Sequence, residues 1–370
     1  MSDSEQRRRR VTLADIARAC HVSSATVSLV LSGNASVALK TRRLVEAELR
    51  NQGYVYNRSA ANLRRKVSTS VALVINDLSN PFVAEFAAGV DEALAEAGCV
   101  LLLGSSGESI ERQRAVLSSL LEHNPAGVIL TPAEGTTAGD LQPVVGLHTP
   151  LLLFNREVPG STWNYLGADN VAGARVATEH LIAQGHTRIA FFGGHRASSS
   201  CRQRLQGYTA ALTAAGITPE PRWVVECAPT RLQAVAATAA LFARDPAPTA
   251  AVTYNDGVAL GLMMGLRARN ITPGSDLAIT GFDDIPEAAA AVPALTTVAT
   301  GPRSLGHQAV ALVMANSRSG EATPTNTISP VRLVLRDSSL TYAHDLSLES
   351  PVGGSVNPAR RRIAPRGNPT

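Results

Sequence analysis

The sequence predicts a small helical head followed by an α/β body built on parallel sheets. Three observations predict it. Residues 11–53 carry three short helical patterns separated by tight turns, and from Ser70 onward short Val/Leu/Ile/Ala runs alternate with amphipathic stretches. Basic charge is concentrated before that change. Apolar runs separated by helices belong to parallel strands covered on both faces.

In the head, Thr12 is placed to cap a first helix whose Leu13, Ile16 and Ala17 form an apolar stripe, with Asp15 in its first turn. The turn Cys20-His21-Val22 follows. Ser23 caps a second helix through Val27, Val30 and Leu31 that Gly33 ends, and a third pattern runs from Thr41 to Asn51, stopping near Gly53. Residues 57–66 hold good helix formers but one strong apolar residue, Leu63, so they cannot bury a face alone and read as a conditional linker helix.

In the body, strands are expected at Val71–Ile75, Val100–Leu103, Val128–Leu130, Leu151–Phe154, Ile189–Phe192, Ala251–Thr253, Ala278–Thr280 and Val331–Leu335. Helices fall between them, among them Pro81–Ala97, Ile110–Glu122, Val171–Ala183, Arg202–Ala215 and Val258–Arg269. These are enough units for two sheets, hence two lobes. After Leu340 the chain is rich in Ser, Pro, Gly and Arg without periodicity, which predicts a disordered tail.

A chain of 370 residues, 45% apolar and 17% charged with mean hydropathy +0.04, can bury two medium cores and a small accessory domain. No apolar run approaches the roughly 18 residues that span a bilayer. Residues 1–10 include four consecutive arginines and no apolar segment of a secretory signal, so a cytoplasmic protein without a membrane partner is expected. The four cysteines are widely spaced and read as reduced small hydrophobes. The chain lacks P-loop, G-x-G-x-x-G, H-E-x-x-H and G-x-S-x-G motifs and any Cys/His cluster with metal spacing, so neither an enzyme nor a metal or cofactor is expected.

The net charge of +4 conceals an asymmetry. Residues 1–66 hold 13 Lys+Arg against 5 Asp+Glu, a balance of +8, and residues 67–340 hold 17 against 23, a balance of −6. A basic head on an acidic body fits a polyanion partner for the head, and equally a solubilising terminus. The run Val11–Leu31 has helix-turn-helix spacing, and its second helix presents Ser24, Ala25, Thr26, Ser28 and Leu29, small or polar enough to approach base edges in a major groove. Structural bundles share that spacing; combined with the charge, it favours DNA.

In parallel sheets ligands sit beyond the carboxyl ends of the strands. Those ends are polar here: Asn76-Asp77 with Asn80-Pro81-Phe82, Asn155-Arg156, Asn255-Asp256 and Asp283-Asp284. Polar forks beside an aromatic platform suit a hydroxyl-rich or heterocyclic small molecule. Asn and Asp at such places also cap helices, the role expected of Asp256 and Asn170, and Arg204 reads equally as an exposed helix arginine.

The stretches V-S-S-A-T-V-S (22–28), T-R-R-L-V-E-A (41–47) and G-Y-V-Y-N-R-S-A-A-N-L (53–63), in this order and spacing, resemble the head and hinge of the lac repressor family, and the similarity continues to about residue 340. The resemblance implies a helix-turn-helix head at 1–56, a hinge helix at 57–68, and a two-lobed doubly wound body at 69–340 similar to periplasmic sugar-binding proteins. Lobe 1 then spans about 69–168 and 298–326, lobe 2 about 169–297 and 327–340, and the tail 341–370. It further implies a homodimeric transcriptional repressor on double-stranded operator DNA, controlled by a small-molecule effector between the lobes, a sugar in the first instance.

Carried over by position, Ser24, Ala25 and Leu29 face base edges, Ser23, Thr26, Ser28, Ser32, Thr41 and Asn57 fix phosphates, and Thr12 is a further DNA-binding residue. Leu63 enters the minor groove as a wedge. Phe82, Asn155, Arg204, Asn255 and Asp283 contact effector. The chain departs from the family pattern at several places. Leu29 stands where a base-reading Arg or His is usual, His21 where a turn glycine is, Ala38 where a Ser caps the third helix, Tyr56 where a proline precedes the hinge, and Asn155-Arg156 where Asp-Arg is common. The alternative reading, a periplasmic sugar receptor without a DNA role, requires a secretion signal and no basic head.

Overall fold

The computed structural model describes residues 11–54, 68–145, 149–316 and 324–340. Asn57, Leu63, the expected hinge and the expected tail lie outside the described residues.

The head consists of α1 (Leu13–Ala19), α2 (Ser24–Leu31) and α3 (Leu39–Asn51) around a core of Ile16, Ala17, Cys20, Val27, Val30 and Val45. Thr12 and Asp15 form a reciprocal capping box on α1, each side chain satisfying the other's backbone N–H. Ser23 caps α2 by accepting from the Thr26 N–H at 3.0 Å. His21 adopts φ 53° in the turn between them, so the residue standing in place of glycine does take the left-handed conformation. The third helix starts at Leu39, two residues before the expected Thr41, because Leu39 and Lys40 propagate a helix readily; its N-cap, Ala38, supplies no side-chain bond.

The body continues with β1 (Ser70–Ile75), α4 (Pro81–Glu96), β2 (Val100–Ser105), α5 (Ile110–Leu121), β3 (Val128–Leu130), α6 (Ala138–Val145), β4 (Leu151–Phe154) and β5 (Asn164–Ala168). There follow α7 (Asn170–Ala183), β6 (Ile189–Phe192), α8 (Ser199–Ala214), β7 (Val224–Val225), α9 (Arg231–Phe242), β8 (Ala250–Thr253), α10 (Asp256–Arg267), β9 (Ala278–Asp283), α11 (Pro286–Ala290) and β10 (Thr296–Ala299). The last elements are α12 (Pro302–Asn316), β11 (Asn326–Ser329) and β12 (Arg332–Val334).

Two six-stranded sheets form, in the orders β11-β5-β4-β3-β1-β2 and β12-β10-β9-β8-β6-β7. The strand pattern is thus used twice. Every pairing in the first sheet is parallel, as are those joining β6 to β10 in the second. The central strands β1, β3, β4, β6, β8 and β9 are buried along nearly their whole length, as continuous Val/Ile/Leu/Ala runs require. The strands without such runs, β5 (N-Y-L-G-A), β10 (T-T-V-A), β11 (N-T-I-S) and the two-residue β7, were not expected.

The body divides into two compact units, one of residues up to Asn170 with His195–Arg204 and Thr300–Arg332, the other of Val171–Gly194, Leu205–Ala299 and the chain from Leu333. Two expected boundaries therefore shift. The chain remains in the first sheet through Ser329 rather than leaving at 326, because β11 pairs with β5 from Asn326↔Tyr165 to Ser329↔Ala168. Residues 195–204, expected in the second lobe, group with the first unit, where the Ser199 hydroxyl accepts from the Glu157 N–H at 2.9 Å.

Within the first unit, α4 and α12 cross at two glycines. A Cβ on Gly306 would lie 2.6 Å from both the Phe86 carbonyl oxygen and the Val90 nitrogen, and one on Gly89 would overlap the Arg303 carbonyl. Backbone that close cannot yield as a side chain can. Gly306→Ala is expected to destabilise the body by about 1–3 kcal/mol, the usual cost of overpacking, seen as a lower urea midpoint at unchanged m-value.

Candidate functional site

On the head, the buried side of α2 is Val27 and Val30, which leaves Ser24, Ala25 and Leu29 exposed. Several of the hydroxyls expected to meet DNA have local partners. Thr12 donates to Asp15 Oδ2 at 2.7 Å, the Ser23 and Thr26 hydroxyls lie 2.9 Å apart, and Ser32 donates to the Leu29 carbonyl at 3.0 Å. These bonds orient the side chains and leave lone pairs on their oxygens. Ser28 and Thr41 are half-buried. The described part of the head holds Arg18, Lys40, Arg42, Arg43 and Arg50 against Asp15, Glu46 and Glu48, so most of the head's positive charge flanks the helical core in sequence.

In the first unit the strands' carboxyl ends carry Asn76, Thr131 and Asn155. Asn155 turns the chain at φ 63°, its N–H donating to the Leu166 carbonyl at 2.9 Å. Asn80 caps α4 through the Phe82 N–H at 3.0 Å, which sets Phe82 against Phe154, ring centroids 6.0 Å apart and planes nearly parallel; Phe86 stacks on Phe154 at 3.6 Å. Arg204 is buried, not an exposed helix arginine, and its Nε donates to Asn170 Oδ1 at 2.8 Å. Asn170 Nδ2 donates in turn to Gln203 at 2.8 Å, so the Asn170 side chain is tied to α8 instead of serving only its own helix.

Arg156 is a buried clamp. Its Nη1 and Nη2 donate to the two Glu108 oxygens at 2.8 and 2.9 Å, and Nη1 also reaches the Pro132 carbonyl at 3.0 Å. Burial pushes the Glu108 carboxyl up, but the hydrogen bonds and charge of Arg156, with donors from Asn76 and the Glu134 N–H, more than offset it and hold the carboxyl below its ordinary range. Because a carboxylate only accepts, the 2.8 Å bond from Asn76 to Glu108 must come from Nδ2, which turns Asn76 Oδ1 away. That oxygen and Thr131 Oγ1, at the ends of the paired strands β1 and β3, are buried and have no hydrogen-bond partner among the described residues. Glu108 was missed at the sequence level, although it follows β2 as the other polar ends follow their strands.

A cavity of about 200 Å³ in this unit is lined by Glu134, Thr137, Arg156, Glu157 and Arg202 among others, and Phe82, Asn155 and Arg204 are not part of its wall.

In the second unit, Asn255 caps α10, its Oδ1 accepting from the Val258 N–H at 2.9 Å. Asp256, expected to cap, instead has a fully buried carboxylate: Oδ2 accepts from the Ile285 N–H at 2.9 Å and Oδ1 from the Thr297 hydroxyl at 2.5 Å. Asp283 ends β9 at φ 124° and Asp284 follows at φ 59°, two left-handed residues in succession. The turn is held from one side by Asp256 and from the other by Arg336, which pairs with Asp284 at 2.7 Å. No local spacing announces Arg336 or Thr297, which reach this turn only through the sheet.

Among the described residues no helix is long and apolar enough to cross a membrane, and no group of three or more His, Cys, Asp or Glu could hold a metal ion.

A capped helix-turn-helix head preceding paired parallel sheets with polar strand ends defines a DNA-binding regulator with a binding-protein-like body. Residues 12–57 match the family model described as bacterial regulatory proteins, lacI family, and residues 178–339 match the periplasmic binding protein-like domain. The maltose regulon regulatory protein MalI of Escherichia coli K12 is 32% identical over 343 residues, covering 88% of this chain and 98% of that protein. Among solved structures, a lac repressor dimer bound to operator and the anti-inducer ONPF is similar at TM-score 0.79 and 28% identity, over 90% of this chain and all of that one. A complex of the transcriptional regulator CelR with cellobiose is similar at TM-score 0.67 and 30% identity, over 89% of this chain and all of that one. The chain belongs to the lacI family of bacterial transcriptional regulators. The periplasmic-receptor alternative is thereby set aside.

Burial raises the Asp256 carboxyl to about 6, against the hydrogen bonds from Thr297 and Ile285. The folded chain therefore keeps this proton to higher pH than the unfolded chain, whose Asp titrates near about 3.9. Stability must fall as pH rises from about 4 to about 6 and level off above. Asp256→Asn should remove that slope, so the difference between wild-type and variant urea midpoints across pH 4 to 7 is the measurement.

Proposed function

We propose that the protein is a homodimeric repressor whose two heads hold a pseudopalindromic operator and whose affinity for it is set by a small molecule, a sugar, bound at the carboxyl ends of the body's strands. The observation that carries this reading is the co-occurrence, in one chain, of a lacI-family head with a body that buries Arg204 on α8 and, at strand ends, Asn255 and Asp283. Asn155 and Phe82 join them as candidate contacts, the phenyl ring giving a sugar's C–H face an apolar platform. A sugar ligand is supported by the cellobiose complex of CelR, and a dimer on operator by the lac repressor structure.

Dimerisation matches the two-fold symmetry of a palindromic site and doubles the phosphate contacts. The acidic body then limits nonspecific gripping of DNA outside the heads. A DNA partner of this kind places the protein in the cytoplasm, and the activity is binding, without catalysis. Asn57 and Leu63 belong to the proposed DNA contacts through their sequence positions alone.

Affinity for a genomic fragment retained by the full-length protein should fall about a thousandfold between 50 and 200 mM salt, for six or more phosphates neutralised per dimer. A flat dependence, measured by fluorescence anisotropy, contradicts the head assignment. Arg204→Ala and Asp283→Ala should each abolish the response to a sugar found by thermal-shift screening and leave DNA affinity in its absence unchanged; an intact response contradicts the proposed contacts.

A further inference from the structure

Resting on the head's role as a DNA-binding module, we infer that in the major groove this protein recognises its operator through thymine 5-methyl groups, met by an apolar row of Ala25 and Leu29 on the outward face of α2. The helix S-A-T-V-S-L-V-L contains no Arg, Lys, His, Asn, Gln, Asp or Glu. The side chains that read guanine or adenine with two hydrogen bonds, or accept from cytosine N4, are therefore missing from the element that enters the groove.

What α2 does present is ordered in two rows. Val27 and Val30 are spent on the head core, 0% and 6% exposed. Residues one turn apart share a face, so the outward surface carries a hydroxyl row, Ser24 and Ser28, beside an apolar row, Ala25 and Leu29. The Thr26 hydroxyl is engaged by Ser23. Ser24 and Ser28 make no side-chain hydrogen bond among the described residues, and a hydroxyl, donor and acceptor at once, bonds to any base edge and discriminates weakly.

Discrimination falls to the apolar row. Leu29 is 37% exposed, and in a groove the one base-edge group an isobutyl side chain can favour is the thymine methyl. Opposite guanine the same side chain would strip water from O6 and N7 and return no donor, a penalty that selects against G·C as contact selects for A·T.

The test uses the full-length protein and the shortest operator defined by footprinting a retained genomic fragment. Each thymine is replaced in turn by deoxyuridine, which removes the methyl and leaves base pairing unchanged. Affinity should fall about fourfold at one or two positions in each half-site, the worth of one buried methyl. Leu29→Ala, at an exposed site outside the head core, should lose that sensitivity at one position and retain it elsewhere. Leu29→Arg should turn the preference at the same position to guanine. Uniform tolerance of deoxyuridine, or full sensitivity persisting at every position in Leu29→Ala, overturns the inference while the DNA-binding role stands. Failure to retain any genomic fragment overturns that role instead.

Discussion

Parallel strands buried on both faces leave polar chemistry one outlet, the strand ends. In both sheets of this protein the central strands are mostly apolar and buried, and Asn76, Thr131, Asn155, Asn255 and Asp283 stand at or just after a strand's last residue. Because the strands run parallel, these ends gather on one edge of each sheet. Asn76, Thr131 and Asn155 meet at the edge of the first sheet, and Asn255 and Asp283 at the edge of the second, although they are far apart in sequence.

Polar groups held at such an edge need a second layer to fix them, and each unit supplies a carboxylate for it, partly buried in the first and fully buried in the second. In the first, Glu108 takes both arms of Arg156 and so orients Asn76. In the second, Asp256 grips the turn after Asp283, which keeps two successive residues in a left-handed backbone that neither would choose alone. The two carboxylates differ in what balances burial. Glu108 faces a guanidinium that holds its carboxyl below its ordinary range, whereas Asp256 receives only neutral donors, so burial, with the Asp284 charge added, pushes its carboxyl up.

Much of the architecture was legible before any coordinates. Six of the eight strands expected in the body match to within about one residue at each end, because continuous apolar runs admit little else, and the head's caps at Thr12 and Ser23 were marked by residue type. What stayed hidden is long-range. β5, β10 and β11 are mixed or Thr-rich segments that become strands only because a neighbour completes their hydrogen bonds. Asp256 looked like a cap because an Asx residue at a helix start commonly is one; the adjacent Asn255 took that role and turned Asp256 inward. From its polar neighbours Arg204 reads equally as an exposed helix arginine; that it is buried, and bonded to Asn170 34 residues away, no local pattern announces.

The central claim, that one chain couples a DNA grip to a small-molecule site, is tested most directly by reciprocity. Affinity for the small-molecule effector found by thermal-shift screening is to be measured calorimetrically with the full-length protein alone and again saturated with operator. If the two sites are linked, the effector constant must differ between the two states by the factor with which the effector changes operator affinity, about 5- to 150-fold for couplings of this type. Equal effector affinity in both states would contradict the account.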